Sequence, residues 1–266
     1  MLTIFFILDP IFGEKRQQPF FRAIAETRMS DSPAIAELKG RLVVSVQADL
    51  DSPLRSTPII AALARCALMG GAAGLRIQGV SDVAAVRGIT RKPIIGLTKI
   101  YRPGESVYIT PSATDARELV GAGADIVAID ATSRKRPESF TEIAAAVHAV
   151  GACVLADVAT FAEAQTALEE GADIVATTLA GYMDGASPEG PDFALMRKMA
   201  GAGLRFAAEG RIRSSDEAAQ AIVLGASFVI VGTAITRPDV VTSWFASAVA
   251  RAGTARINPN SDSRLC

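Results

Sequence analysis

Lys99 is the residue whose position in the chain first indicates chemistry. It ends PIIGLTK (Pro93–Lys99), where apolar residues surround one glycine before the chain turns polar at Thr98. A short, continuous apolar run of this kind is typical of a strand that is buried on both faces. Lys99 is therefore predicted at the carboxyl end of a strand, where packing alone seldom places an ammonium group. Two interpretations are open: a solvated lysine that begins a loop, or an amine that performs acid–base chemistry.

Polar or ionisable side chains also follow the other apolar runs of the chain. Taken in order, the ends of these runs carry Gln47, Arg76, Lys99, Asp130, Asp157, Thr177 with Thr178, Glu209 and Arg237. Each has a structural explanation of its own, such as a helix cap for an aspartate or a surface ion pair for an arginine. If they converge at one rim, however, their charges must be matched by a ligand or by each other. The set therefore indicates a binding or catalytic site.

Two late segments, AAEGRIRS (Ala207–Ser214) and VGTAITRP (Val231–Pro238), carry a phosphate-binding pattern. Their glycines would let the backbone approach an anion closely, and their arginines could supply the fork of donors that matches phosphate oxygens. The residues concerned are Gly210, Arg211, Gly232, Thr233 and Arg237. The alternative interpretation is that both segments are tight turns whose arginines lie at the surface and bind no phosphate.

A repeated unit positions these residues: a helix ends at Gly-Ala and an apolar strand follows. Its glycines, Gly71, Gly123, Gly171 and Gly225, recur at nearly even intervals. A glycine just past a helix supplies the left-handed residue that ends it. Another apolar run precedes each of these strands. The sequence thus predicts strands at Leu42–Gln47, Gly70–Ile77, Pro93–Leu97, Gly123–Asp130, Ala152–Asp157, Gly171–Thr178, Leu204–Gly210 and Gly225–Gly232.

Helical spacing fills the segments between the strands. The predicted helices are Pro58–Met69, Asp82–Arg87, Ser112–Val120, Glu138–Val150, Thr160–Glu169, Asp192–Met199, Ser214–Leu224 and Asp239–Arg251. Strands that alternate with helices in this way are parallel. Eight such units over about 225 residues predict an α/β protein with a single-domain (β/α)8 TIM barrel, whose catalytic groups lie at the carboxyl ends of the strands. An open, doubly wound sheet is the alternative, although no Gly-x-Gly-x-x-Gly follows a strand.

Composition narrows the classes of function. The 266 residues carry a net charge of −1, so no broad electrostatic field points to nucleic acid or to an anionic membrane. The cysteines, Cys66, Cys153 and Cys266, lie far apart, as is typical of reduced thiols in a cytoplasmic protein. With His148 as the single histidine, a histidine-rich zinc site and Ser-His-Asp catalysis are both disfavoured.

The barrel is assigned to residues 38–253, and a polar tail to residues 254–266. Residues 1–37 are assigned to an N-terminal extension and a lead-in helix. The apolar segment Leu2–Leu8 lacks the basic flank of a signal peptide and is too short to span a bilayer. Met29 begins MSDSPAIAELKG, which is typical of an ordinary start before a short helix. We therefore expect residues 1–28 to contribute nothing to the barrel core.

Ten motifs in order resemble one known family, the N-acylmannosamine-6-phosphate 2-epimerases, which are bacterial (β/α)8 enzymes of sialic acid catabolism. They extend from about Leu38 to the last helix, and their combination makes the resemblance specific. The motifs are LKGRLVVSVQA (Leu38–Ala48), GLRIQG (Gly74–Gly79), PIIGLTK, VYITP (Val107–Pro111), GADIVAIDAT (Gly123–Thr132), ADVAT (Ala156–Thr160), TTLAGY (Thr177–Tyr182), EGPDF (Glu189–Phe193), AEGRI (Ala208–Ile212) and VGTAITRP.

The resemblance implies conversion of N-acetylmannosamine 6-phosphate into N-acetylglucosamine 6-phosphate, with no metal or redox cofactor. It implies that Lys99 is the catalytic lysine and that Glu209 is its partner carboxylate. The residues implied in binding are Gln47, Arg76, Asp157 and Thr178 for the sugar, and Gly210, Arg211, Gly232, Thr233 and Arg237 for the phosphate. The chain departs from the family pattern at one place. The family often has Lys-Arg-Asp-Tyr after this strand, whereas here Lys99 is followed by Ile100-Tyr101-Arg102.

Other functions remain open at this stage. A pentulose-phosphate 3-epimerase would be expected to have metal-binding histidines, and a thiamin-phosphate-synthase-like enzyme is a second alternative. A non-catalytic phosphosugar-binding module is a third.

Asp130 and Asp157 could hold a divalent ion, although the lack of histidines disfavours a dedicated site. The run Arg134–Arg136 is interpreted as a solvated loop. We expect the protein to bind a phosphosugar and to bind neither nucleic acid nor a membrane. The barrel helices could also form the interface of a homodimer.

Overall fold

The structure, a computed structural model, describes residues 32–101, 104, 106–182 and 189–257 of the chain. Eight parallel strands pair in chain order, and the first also pairs with the last, so that the sheet closes. The strands are β1 Leu42–Val46, β2 Gly74–Gln78, β3 Ile94–Leu97, β4 Ile126–Asp130, β5 Cys153–Asp157, β6 Ile174–Ala176, β7 Phe206–Ala208 and β8 Phe228–Val231. The predicted (β/α)8 barrel is confirmed, and the open sheet is wrong.

Helices separate the strands, as predicted. They are α1 Pro33–Leu38, α2 Thr57–Met69, α3 Val80–Arg87, α4 Ala113–Gly121, α5 Phe140–Ala149, α6 Phe161–Glu169, α7 Phe193–Gly201, α8 Ser215–Val223, α9 Thr233–Thr236 and α10 Pro238–Ile257. Hydroxyl side chains cap several N-termini, because each accepts a hydrogen bond from a backbone N–H three residues on. These caps are Ser112, Ser139, Thr160 and Ser214.

The glycines of the repeat adopt the backbone conformation that the sequence predicts. Gly71, Gly123, Gly171 and Gly225 have φ values of +97°, +108°, +114° and +101°. A side chain at such a position would be strained, whereas glycine reverses the chain after a helix without that cost. The repeat therefore fixes where each of these four strands begins.

The buried residues form two layers, because alternate strand residues face opposite sides of the barrel wall. One cluster lies between the wall and the helices, and the other fills the barrel interior. Ile35 and Leu38 of α1 belong to the interior cluster, so this lead-in helix packs into the barrel. The predicted leader, residues 1–28, lies outside the described residues.

Several element boundaries differ from the prediction, among them those of β6 and of the last helix. Strand β6 ends at Ala176 and a single 3₁₀ turn, Thr177–Leu179, follows it. The last helix, α10, continues to Ile257, beyond the predicted end at Arg251. No helix in the described part of the chain is long and apolar enough to cross a membrane.

Candidate active site

A cavity of about 460 Å³ opens at the carboxyl ends of the strands, within the size range of small-molecule sites. Its walls combine charged groups with apolar side chains from several strands and their following loops. Predicted residues that line it are Gln47, Arg76, Lys99, Thr178, Glu209, Gly210, Arg211, Gly232, Thr233 and Arg237. Asp157 lies beneath it as a partner of Arg76.

Arg76 is the centre of the buried charge cluster. Only 2% of its side chain is exposed, because it projects from the middle of β2 into the barrel. One guanidinium nitrogen, Nη2, donates to Asp157 Oδ2 at 2.6 Å. The other, Nη1, donates to the Glu209 carboxylate and to Thr178 Oγ1. Arg76 thus brings together side chains from the ends of three other strands.

Asp157 and Thr178 complete this cluster. The Thr178 hydroxyl donates to Asp157 Oδ1 at 2.5 Å and also lies 3.1 Å from Glu209 Oε2. Burial raises the pKa of Asp157, while the Arg76 guanidinium and the Thr178 hydroxyl oppose that rise by stabilising the carboxylate. Two carboxylates therefore share one guanidinium, and the Glu209 carboxylate is the one that faces the cavity.

Lys99 follows β3 at a short antiparallel bridge to Ile109. Burial lowers the pKa of Lys99, and the charge of Arg76 lowers it further, whereas Asp49 and Asp157 raise it. Among the described residues, none forms a hydrogen bond or ion pair with the Lys99 amine. This arrangement favours a neutral amine that is available to accept a proton.

Gln47 has a side-chain oxygen that lacks a protein partner. Its Nε2 donates to Ser45 Oγ at 2.7 Å, while Oε1 is buried with no hydrogen-bond partner in the described structure. A buried acceptor of this kind is costly unless a ligand donor reaches it. Sequence reasoning missed Ser45, although a serine two residues before Gln47 in an otherwise apolar strand must face the same interior.

In the turn after β7, the Arg211 guanidinium contacts protein groups, whereas the sequence suggested that it would bind phosphate oxygens. Arg211 has a positive φ of +57°, and its Nε donates to Gly190 O at 2.7 Å. Its Nη1 donates to Ala180 O, and its guanidinium lies over the Tyr182 ring, 5.0 Å from the centre. The side chain therefore ties the loop after β6 to this turn, although Arg211 also lines the cavity.

The turn after β8 lies against β1. A Cβ on Gly232 would be 3.2 Å from Ser45 Cβ, and the Thr236 hydroxyl donates to Ser45 O at 2.9 Å. Arg237 ends this segment and pairs with Asp49 at 2.7 Å and with Asp239 at 2.9 Å. The hydrogen bonds that Arg237 donates to these carboxylates raise its pKa.

The structure corrects the interpretation of Asp130 and of the basic run after β4. Asp130 is fully buried, and Arg134 and Arg136 both pair with its carboxylate. The run is therefore not a solvated loop: a buried carboxylate requires cationic partners, and these arginines supply them. Neither Asp130 nor these arginines lie in the cavity wall. The described residues contain no cluster of three or more His, Cys, Asp or Glu side chains with metal-binding geometry.

Several cavity residues escaped sequence reasoning besides Ser45. Tyr108 and Ile109 lie beside Lys99 across the short bridge, and Arg213 and Trp244 lie at the edge near the turn after β7. Trp244 follows Thr233, Arg237 and Val240 at helical spacing, so a signal existed in the sequence. The residues near Lys99 gave no such signal, because the bridge joins positions that no regular strand predicts.

Comparisons with known proteins agree with this geometry. Residues 60–251 match the NanE family model, described as N-acetylmannosamine-6-phosphate epimerase. A protein from Glaesserella parasuis, named N-acetylmannosamine-6-phosphate 2-epimerase, is 39% identical over 223 residues, 84% of this chain and 96% of that protein. A Vibrio cholerae protein with the same name is 44% identical over 216 residues, 81% of this chain and 90% of that protein.

A solved structure gives the same result. The N-acetylmannosamine-6-phosphate 2-epimerase from Clostridium perfringens superimposes with a TM-score of 0.78 at 37% sequence identity, over 80% of this chain and 95% of that chain. The sequence resemblance is thereby confirmed by the match of family model, relatives and fold. The chain belongs to the N-acetylmannosamine-6-phosphate epimerase family.

Proposed function

We propose that this protein inverts C2 of N-acetylmannosamine 6-phosphate to give N-acetylglucosamine 6-phosphate, in the breakdown of N-acetylmannosamine and sialic acid. Its membership in the family supports this reaction. The observation that carries the proposal is the Lys99 amine, whose pKa is lowered by burial and by Arg76 and which shares one cavity with the Glu209 carboxylate. Proton transfer leaves the oxidation state of the sugar unchanged, so the reaction requires no redox cofactor.

The chemistry requires three kinds of group. The C2 hydrogen of the closed sugar ring is not acidic, and it becomes acidic only when the hemiacetal opens to an aldehyde at C1. The site therefore needs an acid–base group for ring opening, a base at C2, and donors for the enolate oxygen that develops.

Lys99 suits the role of the C2 base, because a lysine accepts a proton near neutral pH only if its pKa falls well below about 10.4. Glu209 suits ring opening or reprotonation, since Arg76 and Thr178 hold its carboxylate at the cavity wall. The unpartnered Oε1 of Gln47 suits a sugar hydroxyl or the amide N–H of the substrate. Arg76, Asp157 and Thr178 complete the sugar contacts in this proposal.

The phosphate is assigned to the other side of the cavity. The Gly232 turn lies close to β1, and Gly232 and Thr233 both line the cavity, so we assign their backbone N–H groups as donors to the phosphate. Gly210 and Arg211 contribute backbone N–H groups from the turn after β7. Arg237 contributes positive charge, of which Asp49 and Asp239 neutralise a part.

Incubation with N-acetylmannosamine 6-phosphate in D₂O tests the function. We expect NMR to show deuterium at C2 of both epimers. Lys99→Ala should slow C2 exchange by about 10²-fold or more while phosphosugar binding survives, because a general base contributes about that much. Lys198→Ala, at an exposed position on α7, is the matched control and should exchange normally.

Each contrary result has a definite meaning. Normal exchange in Lys99→Ala would reject Lys99 as the base. A wild-type protein that binds the phosphosugar but exchanges no deuterium would reject the enzyme and favour the phosphosugar-binding module. Conversion of a pentulose phosphate, or synthesis of thiamin phosphate, in place of C2 exchange would favour one of the other barrel enzymes.

We also propose a homodimer and a cytoplasmic location. The outer face of β8 and β1 forms an apolar groove that includes Leu42 and Val229, and Phe245 on α10 is 69% exposed. A second copy would bury such surfaces. The unpaired thiols Cys66 and Cys153 suit a reducing compartment. Light scattering tests the dimer, and cell fractionation tests the location.

A third proposal concerns the ends of the chain: residues 38–253 contain all eight strands of the barrel wall, and residues 1–28 and the tail from 254 add nothing to the core. A chain that begins at Met29 should retain activity and unfold with an unchanged free energy. A loss of either would reject the assignment of the leader.

A further inference from the structure

Arg213 and Trp244 form a pair at the edge of the candidate active site. The guanidinium carbon of Arg213 lies over the Trp244 ring, 4.9 Å from its centre, and both residues line the cavity. Arg213 comes from the turn after β7, and Trp244 comes from α10. The pair therefore links two segments that are distant in sequence at the phosphate side of the proposed site.

The helical spacing of α9 and α10 turns Trp244 toward the cavity. Thr233 of α9, Arg237 between the two helices, and Val240 and Trp244 of α10 all line it. Val240 and Trp244 are four residues apart and therefore share one face of α10. Trp244 thus continues the wall that begins at the turn after β8, and its half-buried ring provides a fixed surface for Arg213.

The other arginines of the cavity already have polar partners. Arg76 pairs with Asp157 and Glu209, and Arg237 pairs with two aspartates. Arg211 donates to two backbone carbonyls. Within the described ranges, by contrast, the Arg213 side chain has no carboxylate or carbonyl partner, only the Trp244 ring.

Stacking leaves the donors of a guanidinium free. A planar guanidinium rests on an aromatic ring by its face, so its N–H groups, which point outward in its own plane, remain available to an acceptor. A phosphate dianion is the acceptor that a guanidinium fork matches best, through two parallel, charge-assisted hydrogen bonds. The ring also restricts the long arginine side chain, which reduces the entropy lost on binding.

We propose that Arg213 binds the phosphate group of the substrate at the cavity edge, and that Trp244 is a positioning residue that holds Arg213 there. Arg213 thus performs the fork role that the sequence suggests for Arg211, whose guanidinium is engaged elsewhere. This inference rests on the proposed function for the phosphate monoester as ligand. It adds a binding residue that lies in the segment AAEGRIRS but was not among the predicted phosphate-binding residues.

Kinetics with Arg213→Gln test the proposal. We expect KM for the phosphosugar to rise roughly 10- to 100-fold, the range for loss of a charge-assisted contact, with a smaller change in kcat. The inhibition constant of inorganic phosphate should rise in parallel. Arg213→Lys should give an intermediate rise, because lysine keeps the charge but loses the fork. Arg65→Gln, an equal charge change at an exposed position on α2, should leave all three values unchanged.

Trp244 supplies an independent signal, because it is the single tryptophan of the chain. Addition of inorganic phosphate to the wild-type protein should change its fluorescence, with saturation at the dissociation constant that calorimetry gives. Arg213→Gln should abolish that response. Trp244→Leu should raise the phosphate dissociation constant by calorimetry, whereas Trp244→Phe, which keeps a ring face, should raise it less.

The outcomes separate this inference from the proposed function. Active enzyme with unchanged KM and phosphate inhibition in Arg213→Gln would overturn the role of Arg213 while the epimerase stands. A wild-type protein without C2 exchange, whose phosphate binding still depends on Arg213, would support the binding role while the proposed function fails. Equal effects of Trp244→Phe and Trp244→Leu on phosphate binding would overturn the positioning role of Trp244.

Discussion

Lys99 lies among opposing charges, and burial decides the direction of its pKa. Asp49 and Asp157 favour the ammonium form, whereas Arg76 and Arg237 disfavour it. Loss of hydration is the largest effect and acts with the two arginines, so the pKa falls. A solvated lysine at the start of a loop, the alternative interpretation of the sequence, would lack this effect.

We expect Lys99→Met to be more stable than the wild-type protein at neutral pH, with an advantage that shrinks as the pH rises. Because the pKa of Lys99 is lower in the folded protein, the unfolded chain binds more protons between that pKa and about 10.4. The free energy of unfolding of the wild-type protein therefore rises with pH across this window. Methionine has no proton to lose, so the contribution is absent in the variant.

Urea unfolding of both proteins at several pH values measures this difference. Other titrating groups are common to the two chains and cancel when the free energies of unfolding are subtracted. Lys198→Met, at an exposed site, controls for the addition of a methionine. A difference between wild type and Lys99→Met that stays constant with pH would contradict the lowered pKa.

The limits of sequence reasoning are clearest at single residues. The motif AEGRI correctly marked a turn at the cavity, but the guanidinium of Arg211 points to carbonyls of the loop after β6. No local pattern encodes which distant carbonyl a long side chain reaches. The pairing of Asp130 with Arg134 and Arg136 was missed for a related reason: whether a charged run is solvated depends on the burial of its partner.

At the scale of elements, the turn after β7 depends on a glycine that has two functions. Gly210 has a φ of +101°, and a Cβ on it would lie 3.3 Å from Thr177 O and 3.4 Å from Thr178 O. The positive φ reverses the chain, and the missing side chain lets β7 approach the 3₁₀ turn that carries Thr178. Both features are needed to set Glu209 beside Arg76.

We expect Gly210→Ala to lower the free energy of unfolding by more than Gly203→Ala does. Gly203 also has a positive φ, +71°, but nothing lies within 4 Å of a Cβ there. The control should therefore lose about 1–2 kcal/mol from backbone strain alone. In Gly210→Ala, the added Cβ would also press against the carbonyls of Thr177 and Thr178. The turn should shift to relieve these contacts, and this shift should raise KM.

Thermal unfolding and steady-state kinetics on the two variants measure these effects. The change in KM is the informative result, because backbone strain alone predicts no change in KM for either variant. Equal behaviour of Gly210→Ala and Gly203→Ala would show that the approach of the carbonyls has no energetic consequence.

The elements themselves could be predicted well, for a physical reason. Strands buried on both faces are continuous apolar runs, and each helix that precedes a Gly-Ala pair must end there, so both signals are local. Strand β6 ends earlier than predicted, since the 3₁₀ turn at Thr177–Leu179 is stabilised by the residue after β7: the Thr177 hydroxyl donates to Glu209 O at 2.8 Å. Contacts between elements decide such boundaries.

At the scale of the whole molecule, the two ends of the barrel have different roles. The carboxyl ends of the strands carry the charge cluster, whereas the opposite end of the interior receives α1. Leu38 is fully buried there and lies against Gly74, where an ideal Cβ would be 2.7 Å from Leu38 Cδ2. The site and the packed end are therefore separate parts of one interior, which allows stability and binding to be tested independently.

We expect Leu38→Ala to lower the free energy of unfolding by about 2–5 kcal/mol, the range for a buried leucine that leaves a cavity. Gly74 offers no side chain to fill the space, which favours the upper part of that range. KM should stay unchanged, because α1 packs at the end of the interior opposite the catalytic rim. Leu50→Ala removes the same atoms from a side chain that is 77% exposed and should cost far less. Urea unfolding of both variants decides the matter: equal small losses would mean that α1 covers the barrel without stabilising it.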